Sequence, residues 1–140
     1  MVHAKIMIMT KLLKFILKYL SNLFDEYGFS ITKSNNSGNR FSGASILLAS
    51  AEMEIFMAVE RDEITAQFRS VFDKRKNNWY SAEDVLALFE HKNCLGVLDD
   101  RVGSYIKDEL SAIISRFQKS EIEQTLGLLD KIEKERSKRM

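Results

Sequence analysis

The stretch EMEIFMAVERDEITAQFRSVFDKRKNNWYSAEDVLALF, Glu52 to Phe89, decides the fold. Its first half alternates with the period of a β-strand. Met53, Ile55, Met57 and Val59 fall on one side, while Glu52, Glu54 and Glu60, with Phe56 and Ala58, fall on the other. Arg61-Asp62-Glu63 is a turn. From Ile64 the alternation resumes, with Ile64, Ala66, Phe68, Ser70 and Phe72 on one face and Thr65, Gln67, Arg69 and Val71 on the other. Two alternating runs joined this tightly imply an antiparallel hairpin, since parallel neighbours need long crossovers. The spacing places Glu54 and Arg69 as cross-strand neighbours. In the second half, Asp73 to Asn78 is a charged connector. Ser81 with Asp84 three residues on resembles a capping box, and Val85, Leu86, Leu88 and Phe89 form the apolar stripe of the helix it starts. Tyr80 and Val85 stand where a hydrophobic staple would, which assigns Trp79 and Tyr80 to the helix entrance.

Working outward, Phe29 to Lys33 reads as a first strand and Phe41 to Ser50 as a second, with the polar cluster Ser34 to Asn39 between them. Lys5 to Tyr27 reads as one amphipathic helix. Leu12, Phe15, Ile16, Tyr19, Leu20, Leu23, Phe24 and Tyr27 make its stripe, Lys11, Lys14 and Lys18 its opposite face, and Gly28 its C-cap. The opening VHAKIMIM fits an extra helical turn, a short strand or a frayed leader. The lysines break the apolar run too often for a membrane span or a signal peptide. A basic amphipathic helix can lie on a membrane surface, and it can equally be a core helix with a solvated lysine face. After the break at Asn93 to Gly96, Asp99 or Asp100 caps a helix whose stripe is Val102, Ile106, Leu110, Ile113, Ile114 and Phe117. Ser120 and Glu123 suggest a capping box for the last helix, with Ile122, Leu126, Leu129 and Ile132 as its stripe and a charged, frayed tail. The expectation is a single α+β domain over residues 1–140. It has an N-terminal amphipathic helix, a four-stranded antiparallel meander, and three C-terminal helices packed on one face of the sheet.

Composition narrows the function. The chain has 140 residues, 45% of them hydrophobic, no proline and one cysteine, Cys94. A lone cysteine forms no internal disulfide, which favours a reducing compartment and hence the cytoplasm. The net charge of +1 conceals an asymmetry. Residues 1–40 carry six Lys/Arg against two Asp/Glu, residues 41–100 six against eleven, and residues 101–140 nine against seven. An acidic middle can steer a basic partner and disfavours nucleic acid there; the same charges would also serve simply to solvate an exposed face.

Signatures of chemistry are missing. No glycine-rich phosphate loop, HExxH, CxxC or GxSxG occurs, so no catalytic, cofactor-binding or metal residue is assigned. His91 and Cys94 are three apart, too few ligands for a metal and without an orienting group for a nucleophile. The basic run Lys74-Arg75-Lys76 beside Trp79 and Tyr80 is the one place with the ingredients of a nucleic-acid reader, but it is short and leads straight into a helix cap.

The stretches SGASILLASAEMEIFMAVERDEITAQFRS, residues 42–70, and NWYSAEDVLALFE, residues 78–90, resemble a pattern in small bacterial immunity-type proteins. In it a strand pair meets at an Arg-Asp turn and is followed by an aromatic pair and a capped helix. The resemblance implies a non-enzymatic cytoplasmic protein that neutralises a cognate toxin domain, as in contact-dependent inhibition, by binding it directly. It implies no site residues, because immunity proteins vary most where they grip their toxins. On this reading the partner is a protein, a basic toxin domain, and not a nucleic acid. The polar side of the sheet supplies the contacts: Glu52, Glu54, Glu60, Asp62 and Arg69. Two alternatives stand beside it. One is a structural or assembly protein that forms a homodimer through a strand edge or its terminal helices. The other is an enzyme with an unrecognised carboxylate site.

Overall fold

The computed structural model describes residues 2–36, 43–75, 78–91, 94 and 96–138, with the backbone alone for 2–6. The elements run α1 (Val2–Tyr19), α2 (Asn22–Glu26), β1 (Ser30–Asn36), β2 (Ala44–Ala49), β3 (Met53–Glu60), β4 (Glu63–Ser70), β5 (Tyr80–Ser81), α3 (Ala82–Ala87), α4 (Asp100–Arg116) and α5 (Ile122–Lys138). The α+β class holds. The sheet is antiparallel with strand order β1-β2-β3-β4-β5, so it has five strands where the sequence pattern predicts four. The fifth is two residues long, Phe68 pairing with Tyr80 and Gln67 with Ser81. Two residues cannot show an alternation, so β5 carries no periodic signal and reads as part of the helix entrance.

The central hairpin follows its pattern residue by residue. Met53 pairs with Ser70, Glu54 with Arg69, Phe56 with Gln67 and Glu60 with Glu63. Its turn is two residues, Arg61 at φ 53° and Asp62 at φ 65°. Two consecutive left-handed residues make a type I′ turn, the form whose twist matches the strands it joins. Glycine or asparagine usually fills it, so Arg and Asp hold it at a cost of about 1 kcal/mol or more.

One side of the sheet is the core. Ile46, Leu48, Met53, Ile55, Met57, Val59, Ile64 and Phe68 are buried beneath α1, α3 and α4. The N-terminal helical run is interrupted at Leu20-Ser21, and Gly28, at φ 72°, ends the second piece with Phe29 N–H bonded to Leu23 O at 3.0 Å. The VHAKIMIM segment is helical from Val2. The first strand reaches Asn36, taking Ser34-Asn35-Asn36 out of the expected turn; the remainder of that turn, 37–39, lies outside the described residues. Ser81 Oγ accepts from Asp84 N–H at 3.2 Å and Asp99 Oδ1 from Val102 N–H at 2.9 Å, so both expected caps form. The expected cap from Ser120 does not form at α5. The start of that helix is held by Thr125, whose hydroxyl reaches Arg116 O at 2.6 Å and Glu121 O at 3.0 Å.

Helices α1 and α4 meet through Tyr19. Its ring lies against Gly103, and its hydroxyl donates to Asp100 Oδ1 at 2.5 Å, with Lys18 Nζ 3.5 Å from the same oxygen. The Asp100 carboxyl is held below its ordinary range, first by the Tyr19 hydroxyl and then by Lys18.

Candidate functional site

Among the described residues, none of the helices that cover the core packs on the opposite side of the sheet, whose side chains are mostly half-buried, with Ala58 buried. Its residues follow from the pleat: Ser45 and Leu47 on β2, Glu54, Phe56 and Ala58 on β3, and Thr65, Gln67 and Arg69 on β4. Leu47 pairs with Phe56 and Phe56 with Gln67, so an apolar centre crosses the middle strands. Trp79 completes it. It precedes β5 and stands edge-on to Phe56, with ring centroids 6.3 Å apart at 62°. The indole therefore belongs to this face and not to the helix entrance. Tyr80, its neighbour, points the other way into the core.

Of the five residues expected to contact a partner, two meet on this face. Arg69 Nη1 donates to Glu54 Oε1 at 2.7 Å, both side chains about a quarter exposed. Glu60 is exposed at the hairpin end and faces Glu63 across the ladder, a like-charge pairing that weakens the hairpin. Glu52 lies in the β2–β3 turn at the other end, its N–H bonded to Ser50 Oγ at 3.2 Å. Asp62 turns towards the helices instead. Its carbonyl accepts from Lys11 Nζ.

That contact borders an open cleft of about 580 Å³ between α1, the hairpin turn and the start of α4. Lys11, Lys14 and Lys18 form one wall, Asp62, Glu63, Asp99 and Asp100 the other, and Phe15, Tyr19, Ile64 and Leu98 the floor. The walls neutralise each other in part, which explains why the cleft presents no single sign of charge.

Two polar clusters leave no mark in the sequence pattern. In the first, Tyr80 donates to Asp130 Oδ1 at 2.5 Å and accepts from Arg75 Nη2 at 2.8 Å and Asn78 Nδ2 at 3.0 Å. Asp73, buried beside them, accepts from Arg75 Nε at 3.2 Å and from Asn78 Nδ2 at 3.0 Å. Burial alone would raise the Asp73 carboxyl, but the hydrogen bonds from Asn78 and Arg75 outweigh it and leave the group below its ordinary range. The arrangement latches the β4–β5 connector to α5. It also engages Arg75, leaving the basic run Lys74-Arg75-Lys76 without its middle cation for a nucleic acid; Lys76 lies outside the described residues. Tyr80→Phe removes the shared hydroxyl, and we expect a loss of about 1–2 kcal/mol in urea denaturation.

The second cluster joins α3 to α5. Arg136 Nη2 donates to Asp84 Oδ2 and Nη1 to Glu83 Oε2, each at 3.1 Å. Asp84 Oδ1 is 2.8 Å from Nη1 but off the N–H direction, an ion pair without a hydrogen bond. The Asp84 side chain is 1% exposed. Burial pushes its carboxyl above the ordinary range, with Glu133 and Glu83 adding to the rise and Arg136 opposing it. Asp84 thus has two duties, since its N–H is also the one that Ser81 caps.

The remaining candidates are structural. His91 stacks on Tyr105 at 4.2 Å and its Nε2 is 3.4 Å from Glu109. Cys94 is buried, and burial raises its thiol pKa, which disfavours the thiolate a nucleophile needs. Among the described residues no group of three or more His, Cys, Asp and Glu could hold a metal ion, and no helix is long and apolar enough to cross a membrane. Comparison with protein-family models, with curated proteins and with solved structures finds no match.

Proposed function

We propose that this chain is an immunity-type binding protein that neutralises a cognate bacterial toxin domain in the cytoplasm by direct occlusion. The observation that supports this reading is the sheet face that carries no helix among the described residues: a half-buried apolar centre of Leu47, Phe56 and Trp79 bounded by charged and amide side chains. That composition, aromatic anchors inside a polar rim, is what a protein-binding surface needs. Glu54, Arg69 and Glu60 lie at its border, with Glu52 and Asp62 at the two ends of the hairpin. The acidic balance of residues 41–100, six Lys/Arg against eleven Asp/Glu, suits a basic partner.

The test is to mix the protein with the toxin domain encoded beside its gene. A one-to-one complex on size exclusion, together with survival of toxin-exposed cells that express the protein, is expected. Separate elution with continued sensitivity would overturn the proposal. Within the complex, Phe56→Ala or Trp79→Ala should speed dissociation at least tenfold, as truncation of an aromatic anchor does. Glu60→Lys should slow association with the basic domain several-fold at low salt, and the difference should shrink as salt rises. Stopped-flow mixing measures both.

A further inference from the structure

The lysine face of α1 is not purely polar. Among the described residues six large apolar side chains are exposed, and three of them belong to this helix: Met7 at 59%, Leu13 at 37% and Leu17 at 66%. Singly exposed apolar residues are ordinary; three along one 18-residue helix, beside three lysines, are a pattern. The stripe containing Leu12, Phe15, Ile16 and Tyr19 is already committed to the core, so these three side chains are surplus to folding. With 3.6 residues per turn, Leu13 and Leu17 share one flank of the solvent side, and Lys11, Lys14 and Lys18 share the other, with Met7 close to the lysines.

We propose that this outer face of α1 docks on an anionic lipid bilayer surface, with Leu17, Leu13 and Met7 entering the headgroup boundary and the lysines pairing with lipid phosphates and carboxylates. Charge complementarity carries the choice of partner. Residues 1–40 hold six Lys/Arg against two Asp/Glu, the most basic part of the chain. Lys14 makes no ion pair or hydrogen bond within the described residues. Lys18 is 3.5 Å from Asp100, with both side chains well exposed, and 5.2 Å from the centroid of the Tyr19 ring, and Lys11 binds a neutral backbone carbonyl. All three can therefore turn to an anionic surface at small cost. The carboxylates Asp62, Glu63, Asp99 and Asp100 border the same cleft, and of these Asp100 reaches α1, through Tyr19 and Lys18. A second copy of the chain is the poorer occupant, because a two-fold contact would set the same lysines against one another. The helix is also held in place by its buried stripe, so binding requires no coupled folding. The docking face is separate from the sheet face around Phe56, and the two proposals stand or fall independently.

The experiment is vesicle co-sedimentation of the full chain with phosphatidylcholine alone and with about one-third phosphatidylserine added. Binding to the anionic vesicles only, lost at about 0.5 M salt, is expected. Leu17→Glu and Lys14→Glu should each weaken partitioning about tenfold or more, while circular dichroism stays that of the parent because both positions are at the surface. Phe56→Ala should bind vesicles like the parent. Absence of binding to anionic vesicles, equal binding to neutral ones, or a Leu17→Glu protein that binds unchanged would each overturn the proposal. So would light scattering that shows a dimer which Leu17→Glu dissociates.

Discussion

Replacing Arg136 by Ala should destabilise the protein by about 3 kcal/mol, near the lower end of the cost of removing one partner from a buried ion pair. The discount reflects Arg136 itself, whose side chain is 35% exposed. Asp84 has no such outlet. At 1% exposure it would keep its charge beside Glu83 and Glu133 with Ser81 and any entering water as its only relief. For a chain of this size the loss corresponds to roughly 10 °C in melting temperature. The pH dependence gives a sharper check. In the parent, the folded Asp84 pKa already lies above the unfolded value, so the folded state binds the proton more readily and stability falls as pH rises through that interval. Without Arg136 the folded pKa moves higher still. The penalty for Arg136→Ala should therefore be small near pH 4 and grow towards neutrality, measured as urea midpoints across that range. A penalty independent of pH would mean that lost packing of the arginine stem, and not the stranded carboxylate, is responsible. The double variant Asp84→Asn, Arg136→Met should recover most of the loss, because removing both charges removes the desolvation problem.

Gly103→Ala is the second large effect. Alanine is the better helix former by about 1 kcal/mol, so an exposed mid-helix glycine replaced in this way would stabilise. Here a Cβ would stand 2.6 Å from Tyr19 Cδ2 and 2.7 Å from Cε2. Those atoms belong to a rigid ring whose hydroxyl is bound to Asp100 and whose other side packs on Phe15, centroids 4.8 Å apart. The ring can yield only by breaking its hydrogen bond or by pushing α1 away from α4. A net loss of about 2–3 kcal/mol is expected in chemical denaturation. Tyr19→Leu in the same background should restore part of it. A stabilised Gly103→Ala protein would show that the helices separate at no cost.

The hairpin, the α3 and α4 caps and the apolar stripes are legible in the sequence because each depends on residues near in sequence. Periods of two and 3.6 place Met53, Ile55 and Val59, or Val102, Ile106 and Leu110, without knowledge of the rest of the chain. Glu54 and Arg69 are legible as a pair because a two-residue turn fixes register. The features that escape depend on distant partners. Asp84 reads only as a cap residue because its other role requires Arg136, 52 positions on. Tyr80 reads as a staple because its hydroxyl finds Asp130, 50 positions on. Trp79 reads as part of the helix entrance because the pairing that turns it onto Phe56 is only two residues long. Of the expected contact residues, Glu54, Glu60 and Arg69 can be placed from strand parity. Asp62 cannot, since its turn directs the carbonyl towards Lys11.

The strand order has a consequence for how the chain reaches its structure. Every neighbour in the sheet is also the next strand in sequence, so no crossover must be threaded before pairing begins. The β3–β4 hairpin closes over two residues, and such a hairpin forms in about 1–10 μs. Its left-handed Arg61-Asp62 turn is the least favourable step in that local event, whereas β2 and β5 then add to edges already present. The late steps are those that close long loops: α1 returning over β2 and β3, and α5 meeting Asp84 and Tyr80. A sheet built from neighbours gives low contact order for a β-rich core, so folding should be fast for its class, and the terminal helices should set the observed rate.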